Sequence, residues 1–393
     1  MKIIYTLFFL FCVVVAMAQT DSTQIKKHNF LNYSSLQFMY QNGHVFATND
    51  FFRGTNTEAE KITAYQAFAI KLATQTTGDK LWQQIFNYPY WGAGIYTADF
   101  YNPEEIGNPI AIYGFFNAPF HRWENLTFNY EIGFGATFNW KSFNPVTNQY
   151  NVAIGAGESF LLDAGMNLEY YLTDKIALNA GFSLTHFSNG GMKKPNFGLN
   201  TIAPRVSLKY DLHEKPEFIH REVPDFSPES EWLISFYGGA KNVVFDNVDI
   251  DILEKYEGVF FPEFGFSLDY NRRISYKSKI GAGMSFSYDG SIASQVAVNN
   301  NELEAVDGPF TDKLMISIYP SYELVANRIS LVLQPSFYLY RKHIDTLTPV
   351  FHQKVGLKYY LTDKVFAGIK LRAYKFHVSD FVEWNIGYRF YRK

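Results

Sequence analysis

Cysteine is all but absent from this 393-residue chain: the one instance is Cys12. With the segment that holds it removed, no disulfide, thiol nucleophile or lipid-bearing cysteine remains. An excess of charge of one sign is missing too. A formal net charge of −3 gives no basic surface, so nucleic acid is not expected as a partner. After residue 18 no apolar run reaches the roughly 20 residues of a membrane-spanning helix. No spacing of His, Cys, Asp and Glu suits zinc, and no glycine loop follows a strand and opens a helix. Neither a metal nor another cofactor is therefore expected.

What is present in quantity is aromatic: 18% of the chain, with 28 Tyr and 38 Phe. The N-terminus reads Met1-Lys2, an apolar run from Ile3 to about Val15, then Ala16-Met17-Ala18. A basic start, a short apolar core and an A-x-A site predict a secretory signal peptide over residues 1–18. Beyond it, strict two-residue alternation recurs. Leu126, Phe128, Tyr130, Ile132, Phe134, Ala136, Phe138 and Trp140 share one face. Thr127, Asn129, Glu131, Gly133, Gly135, Thr137 and Asn139 share the other. The same split appears at Ile280–Asp289 and at Val382–Phe390. This period predicts strands with one apolar and one polar face.

Soluble sandwiches use strands of about 5–6 residues, whereas many of these run to about ten or more, the length of a membrane-spanning strand. Long strands, aromatic at their ends and apolar on one face, predict an all-β, transmembrane antiparallel β-barrel of about 14–16 strands. Candidate strands include 33–47, 126–140, 158–172, 175–188, 199–212, 230–242 and 380–391. Tight turns such as Thr173-Asp174 alternate with long polar loops such as 141–157, the pattern of a bacterial outer-membrane protein. Tyr170-Tyr171-Leu172-Thr173-Asp174-Lys175 returns as Tyr359-Tyr360-Leu361-Thr362-Asp363-Lys364. The expected organisation is a first half over 19–212, a proline-containing periplasmic linker over 213–229 and a second half over 230–393. Alternation alone leaves open whether the halves close as one wide barrel or as two tandem eight-stranded barrels.

The chemistry concentrates in His186-Phe187-Ser188-Asn189-Gly190-Gly191, followed by Pro195-Asn196-Phe197-Gly198. His186 and Ser188 share the strand face of Ile176, Leu178, Ala180, Phe182 and Leu184. A base and a hydroxyl thus end an apolar stripe, where polar groups facing lipid are costly. Ser188 is a candidate nucleophile and His186 a candidate general base. Asn189 and the Gly191 N–H are candidate oxyanion donors. The loop lysines Lys193 and Lys194 suit either solvent or a lipid phosphate.

The His-x-Ser-Asn and Pro-Asn-x-Gly elements resemble the active-site hairpin of the PagL family of lipid A deacylases, whose bacteroidete relatives are known as acyloxyacyl hydrolases. The resemblance covers roughly 30–212. It implies an outer-membrane barrel with its site on the lipid-facing wall, acting on ester-linked acyl chains of lipid A or lipopolysaccharide. It also implies His186 as base, Ser188 as nucleophile, and Asn189 with Gly191 as oxyanion hole. Where the family carries an orienting glutamate this chain has Asn200, which can hold an imidazole but cannot balance its charge. Glu158, at the start of the preceding strand, is a second candidate to orient His186. The rival class is a non-enzymatic outer-membrane pore or scaffold, since barrels of fourteen or more strands can enclose water.

Overall fold

Alternation in the sequence becomes inside and outside in three dimensions. In the computed structural model of the protein, β5 (Leu126–Trp140) buries Thr127, Asn129, Glu131 and Thr137, and turns Phe128, Ile132 and Phe134 outward. The structure describes residues 30–392 apart from 244–250, 252–254, 257–258, 301, 303–308, 344–348 and 375–377. The expected signal peptide lies outside the described residues.

The first eight strands are β1 (Ser34–Val45), β2 (Ala64–Gln75), β3 (Tyr90–Asp99), β4 (Gly107–Arg122), β5, β6 (Ser159–Tyr171), β7 (Ile176–Ser188) and β8 (Leu199–Asp211). Each pairs antiparallel with its sequence neighbour. β8 then returns to β1, with Tyr210 opposite Leu36 and Leu208 opposite Phe38. The next eight are β9 (Ser230–Asn242), β10 (Phe260–Arg273), β11 (Ser278–Asp289), β12 (Leu314–Ala326), β13 (Ile329–Tyr340), β14 (Phe351–Tyr360), β15 (Val365–Tyr374) and β16 (Val378–Arg392). β16 closes on β9, with Ile386 opposite Phe236. Of the two closures that alternation allowed, the tandem pair of eight-stranded barrels forms. Pairing β8 with β1 consumes both free edges, so β9 has no strand of the first sheet left to join.

Eight strands leave an interior that side chains fill, and here charged side chains do so. In the first barrel the Lys71 ammonium lies 2.9 Å from Glu131 and the Arg205 guanidinium 3.0 Å from the same carboxylate. Lys209 pairs with Glu169 at 3.2 Å. In the second, Arg372 grips Glu263 through two bonds of 2.5 and 2.6 Å, and Lys354 meets Glu383 at 2.6 Å. These interiors are plugged, which counts against the pore. Outside runs the apolar band: Phe182 is 62% exposed, Ile95 59% and Phe236 60%. Closure leaves no unpaired edge to the lipid.

The repeated hexapeptide occupies the same place in each barrel. It forms the tight β6–β7 turn in one and the β14–β15 turn in the other. Thr173 Oγ1 accepts from the Ile176 N–H at 3.0 Å, and Thr362 Oγ1 from the Val365 N–H at 2.9 Å. The long connections 46–63, 141–158 and 189–198 gather at the opposite end of the first barrel. In outer-membrane barrels that is the extracellular end.

Candidate active site on the outer wall of the first barrel

β7 turns its odd-numbered residues inward: Ser183 and Thr185 are each 2% exposed, against 53% for Leu184. His186 and Ser188 therefore start on the outer wall, at the long-loop end of the strand. The β7–β8 register sets His186 directly opposite Asn200. Their side chains meet, with His186 Nδ1 donating to Asn200 Oδ1 at 2.7 Å. A carbonyl oxygen only accepts, so Nδ1 carries the proton and Nε2 keeps its lone pair. That is the tautomer a general base requires.

Ser188 is buried beneath the loop 189–198 rather than open to lipid. Its Oγ accepts from the Gly190 N–H at 3.0 Å and from Asn196 Nδ2 at 2.8 Å. Both acceptor positions are occupied, which leaves the hydroxyl proton to be donated. Between Ser188 and His186 no hydrogen bond is formed among the described residues.

The other candidates sit differently from the expectation. The Gly191 N–H donates to Asn189 Oδ1 at 2.9 Å, and Asn189 Nδ2 donates to the Lys193 carbonyl at 2.7 Å. Asn189, fully buried, spends its amide closing the turn that follows β7, as asparagine side chains do where a chain must reverse. The amide donors at the Ser188 hydroxyl are instead Gly190 and Asn196. Glu158 is not brought to His186. Leu162 is the residue opposite His186, so Glu158 stands four residues further along, about 13 Å of strand away. A glutamate side chain does not bridge that distance. Lys194 lies within electrostatic reach of Asp380 in the second barrel.

Below the histidine the wall carries a groove of about 410 Å³. Leu162, Ala164 and Leu184 line it along the strands, Phe46 closes its side, and His186 with Asn200 form its head. No group of three or more His, Cys, Asp or Glu able to hold a metal occurs among the described residues.

Two family models match the chain. Residues 68–209 match lipid A 3-O-deacylase (PagL), and residues 230–393 match the C-terminal domain of acyloxyacyl hydrolase. The chain belongs to the PagL-type family of outer-membrane lipid A deacylases and acyloxyacyl hydrolases. Among solved structures it is similar to the outer membrane enzyme PagL, at 16% identity over 44% of this chain and 97% of that one, with a TM-score of 0.28. It is also similar to a mutant Rh. blastica porin (10% identity, 91% and 99% of the two chains, TM-score 0.19). A third is the Acinetobacter baumannii outer membrane protein Omp33 (8% identity, 92% and 99%, TM-score 0.16). No curated protein matches the sequence.

Family membership places this PagL-type chain in the bacterial outer membrane as a hydrolase that removes acyl chains. Two residues at the Ser188 hydroxyl, Gly190 and Asn196, have no role assigned from the sequence. Asn196 lies in the quoted Pro-Asn-x-Gly element, yet nothing in linear order says that its amide folds back eight residues onto Ser188. The signal available was only the recurrence of asparagine beside glycine.

Proposed function

We propose that the chain is a serine esterase that removes an ester-linked acyl chain from lipid A or a related outer-leaflet lipid. The observation that carries this reading is the His186–Asn200 pair at the head of an apolar groove on the lipid-facing wall. A lipid standing in the outer leaflet lays its chain against Leu162, Ala164 and Leu184 and brings its ester to the extracellular rim.

His186 Nε2 takes the Ser188 proton as Oγ bonds to the ester carbon. Asn200 holds the ring through Nδ1 and keeps it in the correct tautomer. As Oγ bonds to the ester carbon it gives up the hydrogen bonds it accepts, and the Asn196 amide and the Gly190 N–H, already gathered at the hydroxyl, turn to the tetrahedral oxyanion beside it. Asn189 and Gly191 act by shaping the loop that presents them. His186 returns the proton to the departing sugar alcohol. Water, deprotonated by the same imidazole, then releases the fatty acid and restores Ser188. No cofactor enters the cycle.

The test is mass spectrometry of lipid A from cells producing the native chain or the Ser188→Ala variant at equal outer-membrane levels. Loss of one acyl chain in the first and none in the second is expected. Identical acylation patterns would refute the assignment. Purified phospholipid and lipopolysaccharide offered side by side would separate the two lipid classes.

A further inference from the structure

The second barrel reaches the site of the first. The loop 189–198 does not end in solvent: its backbone abuts the rim of β15 and β16. Gly190 and Gly191 have φ of +70° and +80°, values that favour glycine. A Cβ on Gly190 would stand 2.5 Å from Val382 Cγ2, and one on Gly191 would stand 2.9 Å from the Ser379 carbonyl oxygen. Val382 points outward from its barrel, as Ile386 does, yet it is 5% exposed against 56% for Ile386. The first barrel's loop covers it.

One hydrogen-bond path crosses the seam. Asn196 Nδ2 donates to Ser188 Oγ at 2.8 Å and to Ser379 Oγ at 3.2 Å. An amide nitrogen has two protons, so a single Asn196 amide serves both hydroxyls at once. One hydroxyl belongs to the first barrel and the other to the second. Ser379 is 8% exposed, so its bond is shielded from competing water.

We propose that Ser379 of the second barrel is a positioning residue for the esterase site of the first, acting through Asn196 on Ser188. The inference rests on the serine-esterase reading above. It gives the second barrel a task in the reaction: its rim helps the loop's own Asn189 N–H to fix the rotation of the Asn196 amide, which must point one proton at the reacting oxygen. Asn196 Oδ1 also accepts from the Asn189 N–H at 3.2 Å; with the Ser379 hydroxyl gone, Nδ2 loses one of its two partners, and preorganisation at the oxyanion is weakened. Ser379 lines no part of the groove, so binding there is untouched.

The experiment measures kcat and KM on lipopolysaccharide for the full chain in detergent and for Ser379→Ala, Ser379→Thr, Asn196→Ala and Asn196→Ala with Ser379→Ala. Ser379→Ala is expected to lower kcat about tenfold with KM within about twofold, the pattern of a contact that matters only in the transition state. Ser379→Thr, which keeps a hydroxyl, restores the rate. In the Asn196→Ala background, Ser379→Ala has no further effect, because the connecting amide is gone. Native kcat in Ser379→Ala, or the same drop with and without Asn196, overturns the proposal. Ser188→Ala run alongside separates the two levels. If that variant is inactive while Ser379→Ala is fully active, only the seam assignment fails. If Ser188→Ala keeps its activity, the esterase reading itself has failed.

Discussion

His186 and Asn200 face each other across the β7–β8 ladder, joined by a 2.7 Å bond from Nδ1 to Oδ1. The amide sets ring orientation and tautomer as a carboxylate would, but it supplies no charge when the imidazole becomes cationic. Asn200→Asp places a carboxylate oxygen at the same point. It is expected to raise kcat about tenfold or more, the direction opposite to a carboxylate-to-amide change in a serine triad. Asn200→Leu removes the acceptor and lowers kcat. Steady-state kinetics on purified lipopolysaccharide check both variants.

Glu158 stands about 13 Å of strand from the residue opposite His186. Glu158→Gln is accordingly expected to keep native kcat and KM. A loss of activity beyond about threefold would mean that the carboxylate reaches the site after all.

Ala164 is the smallest side chain lining the groove below His186. Ala164→Phe fills it from a position that already faces lipid, so folding is not penalised. KM for long-chain substrates is expected to rise, about tenfold, with kcat little changed. Short-chain esters, which leave the lower groove empty, are hydrolysed as before. Chain-length profiles of the two enzymes provide the comparison.

Glu131 receives Lys71, Arg205 and Asn117 in the interior of the first barrel. Glu131→Ala strands the buried Lys71 ammonium and leaves Arg205 with Asp163 alone, at 3.5 Å. Removing one side of a buried ion pair costs about 3–5 kcal/mol, so the variant is expected to unfold at markedly lower urea concentration in detergent. Equal midpoints would show that solvent within the barrel screens the network.

Both barrel interiors are closed by ion pairs. Planar bilayers containing the purified chain are therefore expected to show no steady conductance, with or without Ser188→Ala. Discrete open-channel steps would revive the pore.

Strand positions were legible in linear order because a half-buried strand repeats every two residues. Leu126–Trp140 and Ser230–Asn242 have the same bounds in both. The parity of His186 was legible for the same reason, since Leu184 and Phe182 share its face. Asn189 was harder. As an asparagine beside two glycines it suits an oxyanion loop and a turn equally, and only the path of the chain to Lys193 shows that its amide closes the turn. Glu158 is separated by distance: it stands four residues beyond Leu162, the residue opposite His186, and alternation gives a face, not a height along the partner strand.

The sequence by itself determined an all-β chain with an apolar outside, an outward His-x-Ser pair and a repeated half. These follow from periods and neighbours a few residues apart, which the backbone geometry converts directly into faces and turns. Only the tertiary structure decided that β8 closes on β1, that Asn196 bonds Ser188, and that Ser379, 183 residues away from Asn196, touches the same amide. Closure depends on which edges remain unpaired, and the seam depends on how two finished cylinders stand together. Neither quantity is written in any local stretch of residues.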